Sequence, residues 1–167
     1  RTGAIDPLLV AFSDQENAAE WEPLSTNTAG SLRCSAGSQI IGGLRARQET
    51  LIWTDVALYS LQFIGAPLTF GLTLINEGIS LIGPNAPVNT PTGIFWMDKK
   101  GFYAYQGSVQ PIPCSVHSYV FDDLNEDQAF QVFGFLNKQF NEVGWFYCSG
   151  SSETIDRYVT YNYVDQT

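Results

Sequence analysis

The 167-residue chain is short of nearly every residue type that marks a reactive site or a metal centre: it has one histidine, one methionine and three cysteines. Cys34, Cys114 and Cys148 are odd in number, far apart and never in a CxxC pair, which argues against both a disulfide framework and a zinc cluster and leaves reduced, buried thiols. Positive charge is also scarce, with 8 Lys and Arg against 17 Asp and Glu and a net charge of -9. Wrapping nucleic acid depends on Lys and Arg displacing phosphate counterions, so that class of function is disfavoured. An acidic wall remains compatible with nucleic acid sliding past it, and solubility alone is the plainer account of the charge. No membrane span is expected: the uncharged stretch from Val56 to Asn76 is broken by Ser60, Gln62, Gly65 and Pro67, short of the ~18 to 20 apolar residues required. Arg1 opens a segment without the apolar run of a signal peptide. The absent initiating methionine, and a last stretch "YVTYNYVDQT" that reads as a strand, suggest a piece of a longer polypeptide.

What the chain does have is apolar and aromatic residues, 44% and 14% of the total, enough to bury one sizeable core. Its four tryptophans fall at Trp21, Trp53, Trp96 and Trp145, and the last two intervals lie in the range of about 40 to 50 residues typical of propeller blades. The surroundings recur with them. "ETLIWTDVALYSLQFIG", "TGIFWMDKKGFYAYQG" and "NEVGWFYCSGSSETIDRYVTYNYV" each place apolar residues around a tryptophan, then a turn, then an aromatic strand. Tyr59, Leu61 and Phe63 alternate in the first, Tyr103 and Tyr105 in the second, Val159, Tyr161 and Tyr163 in the third, which is strand periodicity. The turns "TDVA" and "MDKKG" are tight, Gly101 offering positive φ, whereas "CSGSSETID" is a longer polar loop.

Each hairpin is preceded by a strand-like stretch ("SQIIGGLRAR", "GPNAPVN", "FQVFGFLNKQF"), and the first two are followed by another ("APLTFGLTLI", "SVQPIPCSVHSYVF"). About four short strands per unit make the predicted fold all-β, a partial β-propeller of about three to four blades of four antiparallel strands in one region spanning 1-167. The blade-like units are 1-37, 38-82, 83-122 and 123-167. At most one short helix is expected, in "DLNEDQAFQVFGFL" with Asn125 as its cap. A β-sandwich is the competing architecture.

No constellation for chemistry emerges. His117 sits in a predicted strand without a GxSxG elbow. The acidic run Asp122, Asp123, Glu126 and Asp127 misses the EF-hand spacing and reads as a solvated loop. Asp55 and Asp98, each two residues after a tryptophan, read as repeated turn caps. Arg45 and Arg47 share one face of a strand and suit an inter-subunit contact. No catalytic residue, metal ligand or cofactor is assigned. Trp53, Trp96, Trp145, Tyr59, Tyr103 and Tyr161 are expected to be repeat packing residues, since burying a large aromatic contributes on the order of 2 to 3 kcal/mol.

The succession "FSDQENAAEWEPL", "AGSLRCSAGSQIIGGLRARQETLIWTDVALYSLQFIG", "GIFWMDKKGFYAYQGSVQPIPC" and "NEVGWFYCSGSSETIDRYVTYNYV" resembles virion structural proteins of tailed bacteriophages, in particular the tail tubular, packaged-DNA-stabilising or nozzle proteins of short-tailed phages. The resemblance runs from about Asp6 to Asp165. It implies a propeller embedded in a homo-oligomeric ring, typically a hexamer, below the portal and adaptor and near fibre proteins. It also implies transient, non-specific passage of DNA, a virion location after assembly in the host cytoplasm, and no enzymatic activity. The alternative is a carbohydrate-binding or host-recognition propeller of a tail fibre, in which Tyr103, Tyr105 and Trp96 would stack on sugar rings.

Overall fold

The computed structural model describes residues 5 to 167 and is built almost entirely of short antiparallel strands. Among the described residues, thirteen strands form four separate sheets of two, four, four and three strands. The first sheet pairs β1 (Leu9–Phe12) with β2 (Gly30–Arg33). The second runs in chain order through β3 (Ile40–Arg45), β4 (Glu49–Thr54), β5 (Ala57–Gly65) and β6 (Thr69–Glu77). The third contains β7 (Val88–Asn89), β8 (Ile94–Met97), β9 (Phe102–Tyr105) and β10 (Val109–Ile112), and the fourth β11 (Phe133–Asn137), β12 (Glu142–Tyr147) and β13 (Arg157–Asn162). Every sheet is a meander of neighbours in sequence, so its pairing is local and its register is set by its turns.

The turns are fastened by side chains. After β4, Thr54 Oγ1 accepts the backbone N–H of Ala57 at 3.0 Å, closing the two-residue connection to β5. The Asp55 carboxylate reaches instead to the start of β3, accepting from Ser38 N and Oγ, each at 2.7 Å. Gly37 beside it has φ 105° and a Cβ there would meet Asp55 Oδ1 at 2.5 Å, so the position excludes a side chain twice over. Between β8 and β9 the Asp98 carboxylate accepts Lys99 N at 2.7 Å, and Asp98 N donates to Gly101 O at 2.8 Å. Gly101 is not among the glycines with positive φ. Its expected role passes to the Asp98 side chain.

Two helical segments, rather than at most one, separate the third and fourth sheets. Asn125 caps a 3-10 helix (Glu126–Gln131), its side chain accepting Asp127 N at 3.1 Å. The second is α1 (His117–Phe121), where a strand is expected. β10, an edge strand that tolerates Pro111, ends at Ile112, and the chain then turns so that Val120 N donates to Val116 O. His117 therefore lies on a helix, its Nε2 2.9 Å from Lys100 O and its ring against Phe121.

Strands buried on both faces carry no alternation that says which neighbour each side meets, and the packing supplies it. Ile52, Ala57 and Tyr59 of the second sheet close on Leu8 and Cys34 beside the first. Trp53, on the opposite face, meets Trp96 of the third sheet edge to face at 5.4 Å. The other face of the third sheet meets the fourth: Phe102 lies 4.8 Å from Trp145, and Phe95 6.1 Å from Tyr161. The sheets thus stack in chain order, each of the first three covered on its forward face by the next. A parallel bridge between Asn85 and Phe133 draws the leading edges of the third and fourth together.

Candidate functional site

The residues singled out by the repeat converge on the seams between sheets. Trp53, Trp96 and Trp145 occupy the second strands of their sheets, and none is more than 1% exposed. Trp96 stacks on Tyr103 at 5.7 Å and donates from Nε1 to Ser80 O at 3.1 Å. Trp145 reaches across its seam, Nε1 donating to Ala86 O at 2.8 Å, while Gly134 next to it admits Val88 so closely that a Cβ would collide with it. Tyr59 is buried against the first sheet, its hydroxyl accepting Ala36 N at 2.7 Å. Tyr103 and Tyr161 are half-buried beside the main core.

Trp53 breaks the repeat. Trp96 and Trp145 face the preceding sheet, as do Tyr59, Tyr103 and Tyr161, whereas Trp53 faces the following one. A shift of one residue in a strand turns a side chain to the other face, so the "W" of the first unit is matched in letter and opposite in direction. Its Nε1 is buried without a partner, unlike those of Trp96 and Trp145.

The seam between the second and third sheets also holds a polar tie that the sequence does not announce. Glu49 accepts from Ser60 Oγ, from Gln62 Nε2 at 3.2 Å and, across the seam, from Tyr105 Oη at 2.8 Å. Burial alone would push this carboxyl up, but the three donors outweigh it and hold it below the usual range. The same burial, with the bond to Glu49, pushes the Tyr105 hydroxyl to about 12. Both carboxylate oxygens are engaged, so Glu49 acts as a structural acceptor. Residues forty or more apart in sequence make such ties, and only the polar Glu49 and Ser60 inside an apolar strand pair hint at it. Arg47 closes the same seam by donating to Pro91 O at 3.1 Å within the chain, and Arg45 remains exposed.

The remaining candidates stay apart. A cavity of about 280 Å³ between the third and fourth sheets is lined by Phe102, Ile112, Cys114, Trp145 and Tyr161, with no Asp, Glu, His, Lys or Arg side chain in its wall. Cys34 and Cys148 are buried, which raises both thiol pKa values, and Cys114 is half-buried; all three are free. In the acidic run, Asp123 pairs with Arg157 at 2.9 Å, and that guanidinium lies over Tyr119 at 5.1 Å. Asp156 accepts from Ser149 N and Oγ, repeating on the fourth sheet what Asp55 does for the second. Among the described residues no three His, Cys, Asp or Glu side chains group as a metal site, and no helix is long and apolar enough to cross a membrane. No family model matches the chain, and no curated protein matches it either.

Proposed function

We propose that the chain is a non-catalytic structural component of a bacteriophage tail, part of the nozzle or tubular ring below the portal that shapes the DNA exit channel and helps retain the packaged genome. In this reading the four sheets are blades of a partial β-propeller, and copies of the chain assemble in a ring beside adaptor, portal and fibre proteins. The observation that carries it is the use of the repeated aromatics: Trp53, Trp96 and Trp145 are spent on joining one sheet to the next, with no face left for a ligand. A chain that invests its largest side chains in seams between small sheets is built to hold shape. The net charge of -9 suits a wall along which DNA passes without sticking. Sugar stacking on Trp96 is disfavoured because its ring is fully buried.

Electron microscopy of intact particles labelled with an antibody against this chain tests the proposal. Label on the tail axis just below the portal is expected, and label confined to peripheral fibres, or absent from the particle, contradicts it.

A further inference from the structure

Among the described residues nothing covers the forward face of the fourth sheet. By the alternation that buries Val143, Trp145 and Tyr147 against the third sheet, Phe133, Phe146 and Tyr158 project from the opposite side as one cross-strand row, Phe133 opposite Phe146 and Phe146 opposite Tyr158. They are 51%, 37% and 66% exposed, and Phe135 lies over Gly144 against Phe146 at 4.7 Å. A contiguous aromatic surface of this kind marks a contact site.

The internal seams say what kind of surface covers it. In each, the forward face of one sheet meets the rear face of the next: first on second, second on third, third on fourth. Among the described residues two faces of the stack are left over. One is the forward face of the fourth sheet. The other is the rear face of the first sheet, where β1 and β2 present Leu9, Ala11, Ser31 and Arg33, since Leu8, Val10 and Phe12 point inward to the second sheet. The short side chains of Ala11 and Ser31 leave room for bulky rings opposite, as Gly134 does for Val88. Arg33 on the rear face is already paired with Asp6 of its own chain at 2.8 Å, so the match between the two faces is one of shape.

Resting on the proposal that copies of the chain form a ring, we propose that the aromatic forward face of the fourth sheet docks on the rear face of the first sheet of a second copy, so that the stack continues from one chain into the next. Such a contact is heterologous and joins copies head to tail, the arrangement that closes into rings.

Light scattering after size-exclusion chromatography of the full chain tests this with Phe146→Asp on one face and Ser31→Glu on the other. Wild type is expected to exceed its 18.5 kDa mass increasingly with concentration, and each variant to elute as a monomer. An equimolar mixture of the two should recover a dimer, because each variant retains the face the other has lost. Tyr158→Asp replaces Phe146→Asp if circular dichroism shows the latter unfolded. A wild-type chain that remains monomeric, a mixture that remains monomeric, or a Ser31→Glu variant that assembles like wild type overturns the proposal. Particle imaging decides the tail reading separately: label in an axial ring, with assembly surviving both substitutions, removes these faces and keeps that reading.

Discussion

The two faces of the fourth sheet carry similar residues and meet opposite fates. On one, Val143, Trp145 and Tyr147 are covered by the third sheet; on the other, Phe133, Phe146 and Tyr158 are open. Both are rich in large apolar side chains, so side-chain character alone does not select the core of this sheet. What selects it is the presence of a covering sheet and the hydrogen bonds that the cover accepts, such as that from Trp145 to Ala86 O. Burial here is a property of the stack, and a residue's energetic weight follows from its side of the strand.

Substitution separates the two faces most widely. Trp145→Ala is expected to destabilise the chain by about 3 to 5 kcal/mol, and Trp96→Ala by a similar amount, because each leaves a cavity in a seam. Phe146→Ser, one residue along β12, should cost the monomer less, about 1 to 2 kcal/mol, because it gives up only a partly buried ring and its cross-strand contacts with Phe135 and Tyr158. Urea unfolding midpoints at low protein concentration measure all three, and equal losses at Trp145 and Phe146 would break the comparison.

A smaller difference sharpens it within the seams. Trp145→Phe leaves Ala86 O without its donor, whereas Trp53→Phe removes an Nε1 that has no partner. The first should therefore cost about 1 to 3 kcal/mol more than the second, since an unsatisfied buried acceptor bears its desolvation penalty. Similar costs would show that hydrogen bonding across the seam contributes nothing.

The smallest expected effect concerns the tie between Glu49 and Tyr105. Glu49→Gln should cost about 1 kcal/mol and lower the Tyr105 transition from about 12 toward 10, read by phenolate absorbance. The sign follows from the folded state. Tyr105 is raised, so its contribution is complete below pH 10 and is lost as pH rises through about 12. Glu49 is lowered from 4.5, so its contribution is present above that pH and fades as pH falls through the folded value. An unchanged tyrosine transition in the variant would remove the tie from the account.

Much of the scaffold can be read from local sequence. The tight turns closed by Thr54 and Asp98, strands rising to a tryptophan and falling from a tyrosine, and the Asn125 cap all express interactions within a few residues, whereas Asp55 reaches seventeen residues back to Ser38. The direction of Trp53 is not local. Both faces of β4 are apolar, so shifting the pattern by one residue leaves the sequence looking the same while reversing what the indole meets. α1 is invisible for another reason: His117–Phe121 lacks a side-chain cap and contains aromatic and β-branched residues that suit a strand equally well. The open aromatic row of the fourth sheet is hidden in the same way, since Phe146 reads as one more core residue until its uncovered side is seen.

The central claim, that the repeated tryptophans are packing residues in seams and not a binding surface, is tested most directly by acrylamide quenching of fluorescence in a Trp21→Phe variant. Trp21 is 47% exposed in the loop between β1 and β2, so its removal leaves only the three seam indoles. The account predicts blue-shifted emission that acrylamide barely reaches until the chain unfolds. Emission at the wavelength of indole in water, quenched as readily in the folded chain as in urea, would contradict it.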